Sequence, residues 1–283
     1  MSLRRFWRIF APKNMRVSIH RQLLLVALMT LTVVFPPLSV PSFADTPTTG
    51  AKTSFTLVLD AGHGGKDPGA LGKGKVREKN INLAVTLAVG KLVEQNMKDV
   101  KVVYTRKTDV FVELDERAHI ANKAKADLFV SIHTNALPGT KQLAGSETYT
   151  LGMHRAADNL EVAKRENSVI SLEKDYENRY EGFDPKSSES YIIFEFMQDL
   201  NMEKSVRLAT FVQKQFLAAG RPDRGVHQAG FLVLRATSMP SCLIELGYIT
   251  TSSEEAYLIS ERGVNELAQS IYQAIKKYKE TQK

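Results

Sequence analysis

Residues 55–69 read FTLVLDAGHGGKDPG and join a buried strand to a glycine-rich turn. The first residues, up to Asp60, are mostly apolar or β-branched, which is typical of a strand inside a sheet. Glycines at positions 62, 64 and 65 surround His63 and let the chain turn tightly and approach a ligand closely. The pattern predicts a strand whose carboxyl end opens into a functional loop.

Strand and helix patterns alternate along the rest of the chain. Short β-branched or aromatic runs predict further strands at 101–106, 127–133, 146–151, 230–234 and 241–246. Amphipathic periodicity predicts helices at 80–95, 112–125, 202–219 and 264–278. We therefore expect an α/β fold: a twisted, mostly parallel sheet flanked by helices on both faces, with a helical insertion. In such sheets, sites form at the carboxyl ends of the strands.

The predicted insertion covers residues 152–200. Its first part, residues 152–188, is rich in charge, poor in strand formers and far longer than an ordinary connection. Its last part predicts a helix capped by Asp184, with Pro185 in the first turn. Apolar side chains recur there every three or four residues, at Ile192, Ile193, Phe196, Met197 and Leu200. The stripe is consistent with a surface helix packed on the core.

The positive charge of the chain is concentrated at its amino terminus. The net charge is +7, from 38 basic and 31 acidic residues, yet the first 44 residues hold six basic residues and no acid. The remainder is nearly neutral, so the composition gives no support to nucleic-acid binding. The basic start, the apolar run at 23–35 and the small-residue exit Ser42-Phe43-Ala44 have the layout of a secretory signal peptide.

The apolar run is too short for a permanent membrane anchor. Its 13 residues reach roughly 20 Å as a helix, against a hydrocarbon core of about 30 Å. We expect residues 1–44 to be removed on export, with translation starting at Met1 or Met15, and residues 45–54 to be a linker before one domain at 55–283. The lone Cys242 excludes an internal disulfide, so stability must come from the core or from a metal.

Two histidines and a glutamate fit a metal site. His63 and His133 each follow or end a predicted strand, and the loop after the first strand can return Glu78 to the same rim. Two imidazoles and one carboxylate that leave a fourth position open are a ligand set of catalytic zinc. Taken singly, each residue could instead be a hydrogen-bonded core group or a solvated charge.

A phosphate-binding loop is the competing interpretation of the glycines. Residues 69–75, GALGKGK, nearly match the nucleoside-triphosphate loop, but Val76 stands where that loop needs Ser or Thr for magnesium. The metal interpretation is favoured by Glu245, a carboxylate inside the apolar strand SCLIELG at 241–247. A buried glutamate is costly unless it is paired or used. It could pair with Arg117 or Arg235, or it could move protons beside the metal.

Four motifs in order resemble the zinc-dependent N-acetylmuramoyl-L-alanine amidases of bacterial cell walls. They are DAGHGGxDxG at 60–69, EKxxNL at 78–83, SIHxNA at 131–136 and ELG at 245–247. The resemblance implies an enzyme that cleaves the amide bond between N-acetylmuramic acid and the L-alanine of the peptidoglycan stem peptide. It implies His63, Glu78 and His133 as ligands of one Zn²⁺ and Glu245 as the general base, with positioning roles for Asp60 and Asn135.

The insertion resembles a feature of the family branch that acts in cell separation. In that branch a helix covers the zinc until an activator protein displaces it, and a carboxylate of the insertion can take the open zinc position. Glu189 is our candidate for that carboxylate; the alternatives are Glu173, Glu177, Glu181 and Glu195.

Together these features predict a periplasmic zinc amidase that acts on peptidoglycan, is activated by a protein that displaces the insertion helix, and binds no nucleic acid. Two alternatives remain: a zinc peptidase of the wall, and a wall-binding module without catalysis. No separate wall-binding domain is expected beside residues 55–283.

Overall fold

The structure is a computed structural model that describes residues 55–137, 142–154, 156–196 and 200–282. The predicted signal peptide and linker lie outside the described residues. A six-stranded sheet forms the centre of the domain. Its strands are β1 (Phe55–Ala61), β2 (Val100–Tyr104), β3 (Leu128–Asn135), β4 (Ser146–Leu151), β5 (Asp223–Ala229) and β6 (Ser241–Tyr248).

The strand order is β2-β1-β3-β6-β4-β5. Strands β2, β1, β3 and β6 are parallel, whereas β4 runs antiparallel to β6 and pairs in parallel with β5. The carboxyl ends of β1, β3 and β6 therefore meet at one edge, which we call the rim. The register places His133 beside Glu245 across the β3–β6 pair.

Helices cover both faces of the sheet, as the alternation of patterns predicts. The described helices are α1 (Glu78–Asn96), α2 (Leu114–Lys123), α3 (Ala157–Asn167), α4 (Tyr176–Arg179), α5 (Ile193–Phe196), α6 (Met202–Ala218), α7 (Leu232–Arg235), α8 (Ser252–Leu258) and α9 (Glu261–Glu280). Two 3₁₀ turns lie in the insertion, at Ser168–Leu172 and Glu189–Ile192. Within the described residues, no helix is both long and apolar enough to cross a membrane.

Successive side chains of each strand point to opposite faces, and this splits the core in two. Leu57 and Leu59 pack with α1, α6 and α9 in one hydrophobic cluster. Val58 packs in the other cluster, which includes residues of α2, α7 and the insertion. The rim residues Asp60, Ser131, His133 and Glu245 alternate onto this second face, beneath the insertion.

The predicted strand at 230–234 is wrong. Residues 232–234 belong to the helical turn α7, and the strand that completes the six-stranded sheet is β5, which ends just before α7. The run is apolar because its side chains are buried in the second core, and periodicity cannot separate a short buried helix from a strand. β5 has the sequence DRGVHQA and lies at the edge of the sheet, where it is partly exposed. Because an exposed edge strand needs few apolar residues, its sequence lacks the apolar run that marks the other strands.

The insertion is built differently from its predicted form. In place of one long closing helix, residues 189–196 form a 3₁₀ turn and the single turn α5, and the longest helix is α3. Tyr191 and Phe194 are buried in the second core, whereas Ile192 and Ile193 are about half exposed and Leu200 is almost fully exposed. The predicted stripe therefore does not form a single buried face.

Candidate metal centre and active site

The loop after β1 brings two imidazoles together. His63 has a left-handed backbone, with φ of 61°. A Cβ on the preceding Gly62 would lie 2.3 Å from the His133 ring, so only glycine permits this approach. The ring centroids of His63 and His133 are 4.8 Å apart. The glycine-rich turn thus presents a histidine to the end of β3.

Four side-chain atoms converge between the rim and the insertion. His63 Nε2 lies 3.1 Å from Glu78 Oε1 and 3.0 Å from Glu166 Oε2. His133 Nδ1 lies 3.3 Å from Glu78 Oε1 and 2.9 Å from Glu166 Oε2. The four atoms are all within 4.8 Å of one another, and all four residues are buried. His63, Glu78 and His133 were predicted from the sequence; Glu166 was not.

This donor set fits a metal ion. His63 Nε2, His133 Nδ1 and Glu166 Oε2 are buried without a hydrogen-bond partner in the described structure. Orphaned buried polar atoms are costly, and a shared cation would satisfy all three at once. Ligands bound about 2.0–2.2 Å from one zinc ion lie roughly 3.3–3.6 Å apart in a tetrahedron, close to the distances here. The mixed imidazole and carboxylate set is one that zinc accepts.

Neighbouring groups fix the orientation of His63 and Glu78. The second ring nitrogen of His63, Nδ1, lies 2.6 Å from Asp67 Oδ2. Glu78 Oε1 accepts hydrogen bonds from the Thr134 backbone N–H at 2.9 Å and the Asn82 amide at 3.1 Å. The Ala70 N–H donates to Glu78 Oε2 at 2.8 Å. His63 is therefore held with Nε2, and Glu78 with Oε1, towards the cluster.

Asp60 acts on the loop through Arg117. Arg117 is 2% exposed and donates to Asp60 Oδ1 and to the carbonyls of Ala61 and His63, at 2.8, 2.8 and 3.0 Å. The Ser131 hydroxyl donates to the other Asp60 oxygen at 2.6 Å. Burial opposes ionisation of Asp60, but Arg117 and the hydroxyl donors outweigh it and lower the pKa. Arg117 is thus not the partner of Glu245.

The carboxylates of the cluster raise the pKa of both histidines and so stabilise positive charge between them. Burial opposes the charged form of His63, but Glu78, Asp67 and Glu166 raise its pKa well above the usual value. For His133, the same penalty is outweighed mainly by Glu166, and its pKa rises to about 9. Burial opposes ionisation of Glu78, yet the two histidines lower its pKa well below the usual value. Positive charge at this point is stabilised whether protons or a metal supply it.

Glu245 lies at the rim beside this cluster. It is fully buried on β6, and neither carboxylate oxygen has a hydrogen-bond partner in the described structure. Arg165 Nη2 lies 3.5 Å from Glu245 Oε1. Burial, followed by the charge of Glu166, raises the pKa of Glu245 well above its usual value. A carboxyl group with a raised pKa is suited to exchange protons near neutral pH.

Two adjacent residues of α3 enter the site from the insertion. Glu166, 4% exposed, contributes Oε2 to the cluster, while its Oε1 accepts a hydrogen bond of 2.9 Å from Arg165 Nε. Burial and Glu78 oppose ionisation of Glu166, but Arg165 and His133 outweigh them and lower its pKa. The insertion therefore places a charged pair beside His63, Glu78 and His133.

The prediction that Glu189 reaches the metal position is wrong. Glu189 lies exposed on the surface of the insertion, where it accepts a hydrogen bond of 2.5 Å from the Ser187 hydroxyl and water can solvate its charge. Glu173, an alternative, is turned elsewhere: it accepts hydrogen bonds from the Leu114 N–H and the Tyr180 hydroxyl, both at 2.8 Å. Glu166 takes the position because α3, rather than the end of the insertion, crosses the rim.

Asn135 lies where β3 ends, next to both halves of the site. Its amide donates to Glu147 at 3.3 Å, and its side-chain oxygen accepts from Arg165 Nη2 at 3.0 Å. The positioning role that the motif implies for Asn135 stays a prediction. Arg165 and Glu166 were both missed by sequence reasoning. The available signal was the periodicity of α3, where Leu160, Ala163 and Asn167 are buried on one face that Glu166 adjoins.

A family model described as N-acetylmuramoyl-L-alanine amidase matches residues 57–277, which include every one of these site residues. The chain belongs to the N-acetylmuramoyl-L-alanine amidase family. The family and enzyme class expected from the sequence are thereby confirmed, and the α/β fold agrees with solved structures of amidases.

The relatives differ in how much of their own length this chain covers. The chain is 33% identical to N-acetylmuramoyl-L-alanine amidase AmiC of Escherichia coli O6:H1 over 235 residues, 81% of this chain but 54% of AmiC. An amidase structure from Clostridium difficile 630 has 29% identity and a TM-score of 0.61, covering 82% of this chain and 100% of that one. The CwlD amidase of Clostridioides difficile, solved in complex with the GerS lipoprotein, has 26% identity and a TM-score of 0.58, with 81% and 100% coverage.

Proposed function

We propose that this protein is an exported, zinc-dependent amidase that hydrolyses the bond between N-acetylmuramic acid and the L-alanine of the stem peptide, and that its insertion holds it inactive. The observation that carries this proposal is the convergence of His63, Glu78, His133 and Glu166 on one position, with Glu245 beside it. Family membership supports the bond and the substrate.

His63, Glu78 and His133 are the rim residues that would hold the ion. A bound zinc ion supplies Lewis acidity for the scissile carbonyl and lowers the pKa of water from about 15.7 to about 7. Asp67 orients His63 through Nδ1, and the Thr134 N–H orients Glu78. These contacts come from the body of the domain, so displacement of the insertion leaves them in place.

Glu245 moves the proton. Its carboxylate would accept a proton from the attacking water and donate it to the leaving amine of L-alanine, which then departs uncharged. Its buried position and orphaned oxygens leave it free for this task once the insertion is displaced. Burial raises the pKa of Glu245 well above its usual value, which favours the acid form that must protonate the amine.

Glu166 is the inhibitory carboxylate in this proposal. His63, Glu78 and His133 would leave a bound zinc ion one open position for water. Glu166 Oε2, 3.0 Å from His63 Nε2, would fill that position instead. While it remains there, the competent fraction of the enzyme is small, and the apparent substrate affinity falls by the same fraction.

An activator protein would displace the insertion. Ile192 and Ile193, both about half exposed, offer apolar surface on the insertion that such a partner can bury. The structure of the CwlD amidase in complex with the GerS lipoprotein supports this proposal, since it shows one relative bound to a second protein. We further propose that the leader directs the chain to the periplasm, where peptidoglycan lies.

Purified sacculi test the proposal. The full chain and its Glu166→Ala variant are loaded with zinc and incubated with sacculi, and the released products are identified by mass spectrometry. We expect free stem peptides with an L-alanine amino terminus, released about tenfold faster or more by Glu166→Ala because the plug is gone. Glu189→Ala is the matched control, and its rate should equal that of the unmodified chain because its carboxylate is solvent-exposed.

The products separate the alternatives. Cleavage within the stem peptide would identify a zinc peptidase of the wall. Binding to sacculi without any cleavage, even by Glu166→Ala, would identify a wall-binding module. Equal rates for Glu166→Ala and the unmodified chain would contradict autoinhibition by Glu166 while leaving the amidase assignment intact.

A further inference from the structure

The Arg165 guanidinium fills a set of acceptors beside the general base. Nη1 donates to the Ala136 carbonyl at 2.8 Å, and Nη2 donates to the Asn135 side-chain oxygen at 3.0 Å. Nη2 also lies 3.5 Å from Glu245 Oε1. These three acceptors belong to β3, β6 and the residue after β3, all in the body of the domain, whereas the donor belongs to the insertion.

The three acceptors belong to the body of the domain and would remain in place when the insertion is displaced. Asn135 is held by Glu147, which accepts from its amide at 3.3 Å and from the hydroxyls of Tyr149 and Tyr248. None of these three residues belongs to the insertion. The open enzyme would therefore present a side-chain oxygen, a backbone carbonyl and a buried carboxylate with no cation to pair them, next to the metal ligands.

We propose that Arg165 occupies the subsite that receives N–H groups of the peptide substrate. The subsite consists of the Asn135 side-chain oxygen and the Ala136 carbonyl, with Glu245 at its inner end. This inference rests on the proposed function and deepens it: Glu166 blocks the metal position, and Arg165 blocks the peptide position.

The Arg165 guanidinium and a stem peptide both offer N–H donors to the same acceptors. A stem peptide offers backbone N–H groups on both sides of its L-alanine, and a row of acceptors beside the scissile amide would align it. A guanidinium is a planar fork of N–H donors and can satisfy two neighbouring acceptors at once. Its positive charge also faces Glu245, so the same side chain pairs with the general base while the site is closed.

A latch is the competing role for Arg165. In that case the contacts to Asn135 and Ala136 only hold the insertion shut, and the acceptors have no role in the open enzyme. Both roles predict that loss of Arg165 raises activity. They differ in whether a free guanidinium competes with the substrate.

The experiment uses the zinc-loaded full chain and a soluble N-acetylmuramoyl peptide. Three variants are compared: Glu166→Ala, Glu166→Ala with Arg165→Ala, and Glu166→Ala with Lys164→Ala. Lys164 is the matched control because it precedes Arg165 on α3 but pairs with Glu161 and Ser188, away from the acceptors. Methylguanidinium is then added to each, and tetramethylammonium, which has the charge but no N–H, serves as the chemical control.

We expect KM for the double variant without Arg165 to be about tenfold lower than for Glu166→Ala, since hydrogen bonds to charged groups no longer compete with the peptide. The Lys164 double variant should match Glu166→Ala. Methylguanidinium should raise KM of the variant without Arg165 at constant kcat, and tetramethylammonium should leave it unchanged.

The outcomes distinguish the proposals. Equal KM values with and without Arg165, or no competition by methylguanidinium, would overturn the subsite while leaving the amidase in place. A complete lack of cleavage at the muramoyl–alanine bond by every variant would instead overturn the proposed function, and the subsite with it.

Discussion

The rim and the insertion contribute to the same site but differ in how they are held. At the rim, His63, Glu78 and His133 are each fixed by hydrogen bonds or close packing from the body of the domain. The insertion brings two charged side chains, Arg165 and Glu166, to the site on a helix followed by single turns. The difference is what the proposed function requires: catalytic groups fixed by the body of the domain, and inhibitory groups carried by a segment that an activator would displace.

The largest effect is expected from the proton-transfer group of the rim. In the Glu166→Ala background, Glu245→Gln should lower kcat by about 10²–10⁴-fold, because Gln keeps the shape but cannot accept and return a proton. The assay is release of stem peptides from sacculi, with zinc content measured in parallel. Loss of zinc together with activity would assign Glu245 to metal binding instead.

Zinc binding should depend steeply on pH. In the metal-free chain the pKa of His63 is raised well above its usual value and that of His133 is raised to about 9, so both rings hold protons at neutral pH. Protons must leave before the nitrogens can bind metal, so affinity rises with pH up to about 9 and falls in acid. We expect about tenfold per pH unit for each proton released, measured by competition with a chelator. A flat profile between pH 6 and 8 would contradict ligation by these rings.

These two predictions concern residues whose positions follow from local sequence. His63 and His133 occur at predicted strand ends, and parallel strands bring such ends to one edge. Glu78 begins a clear helix, and Glu245 is conspicuous within an apolar strand. The insertion offers no such guide: α3 is charged enough to resemble a solvated helix, and only its packing on the second core turns Glu166 inward. The strand prediction at 230–234 failed for a related reason. A short run that is buried by tertiary contacts is apolar throughout, so its sequence shows neither the helical nor the strand period.

A smaller effect is expected from the group that orients His63. Asp67→Asn should weaken zinc affinity by about 10–100-fold, because a neutral amide no longer supports the ring at Nδ1. Isothermal titration or chelator competition would measure it. The exposed Asp158→Asn, in the insertion, is the control, and an equal loss there would show that the effect is not local to His63.

The smallest effect is expected at the surface of the insertion. Ile193→Ser should change the free energy of unfolding by no more than about 0.5 kcal/mol, because the side chain is already half exposed. Phe194→Ala, one residue away but buried, should cost about 3 kcal/mol or more. Denaturant titration compares the two. A large loss in Ile193→Ser would mean that this surface is structural and not available to a partner.

The central claim is that Glu166 closes a zinc site made by His63, Glu78 and His133, and anomalous diffraction at the zinc edge tests it most directly. Crystals of the zinc-loaded full chain should show one strong anomalous peak per chain, bonded to His63 Nε2, His133 Nδ1 and the carboxylates of Glu78 and Glu166. A peak located elsewhere, or a peak on the three rim ligands with Glu166 turned away from it, would contradict the account.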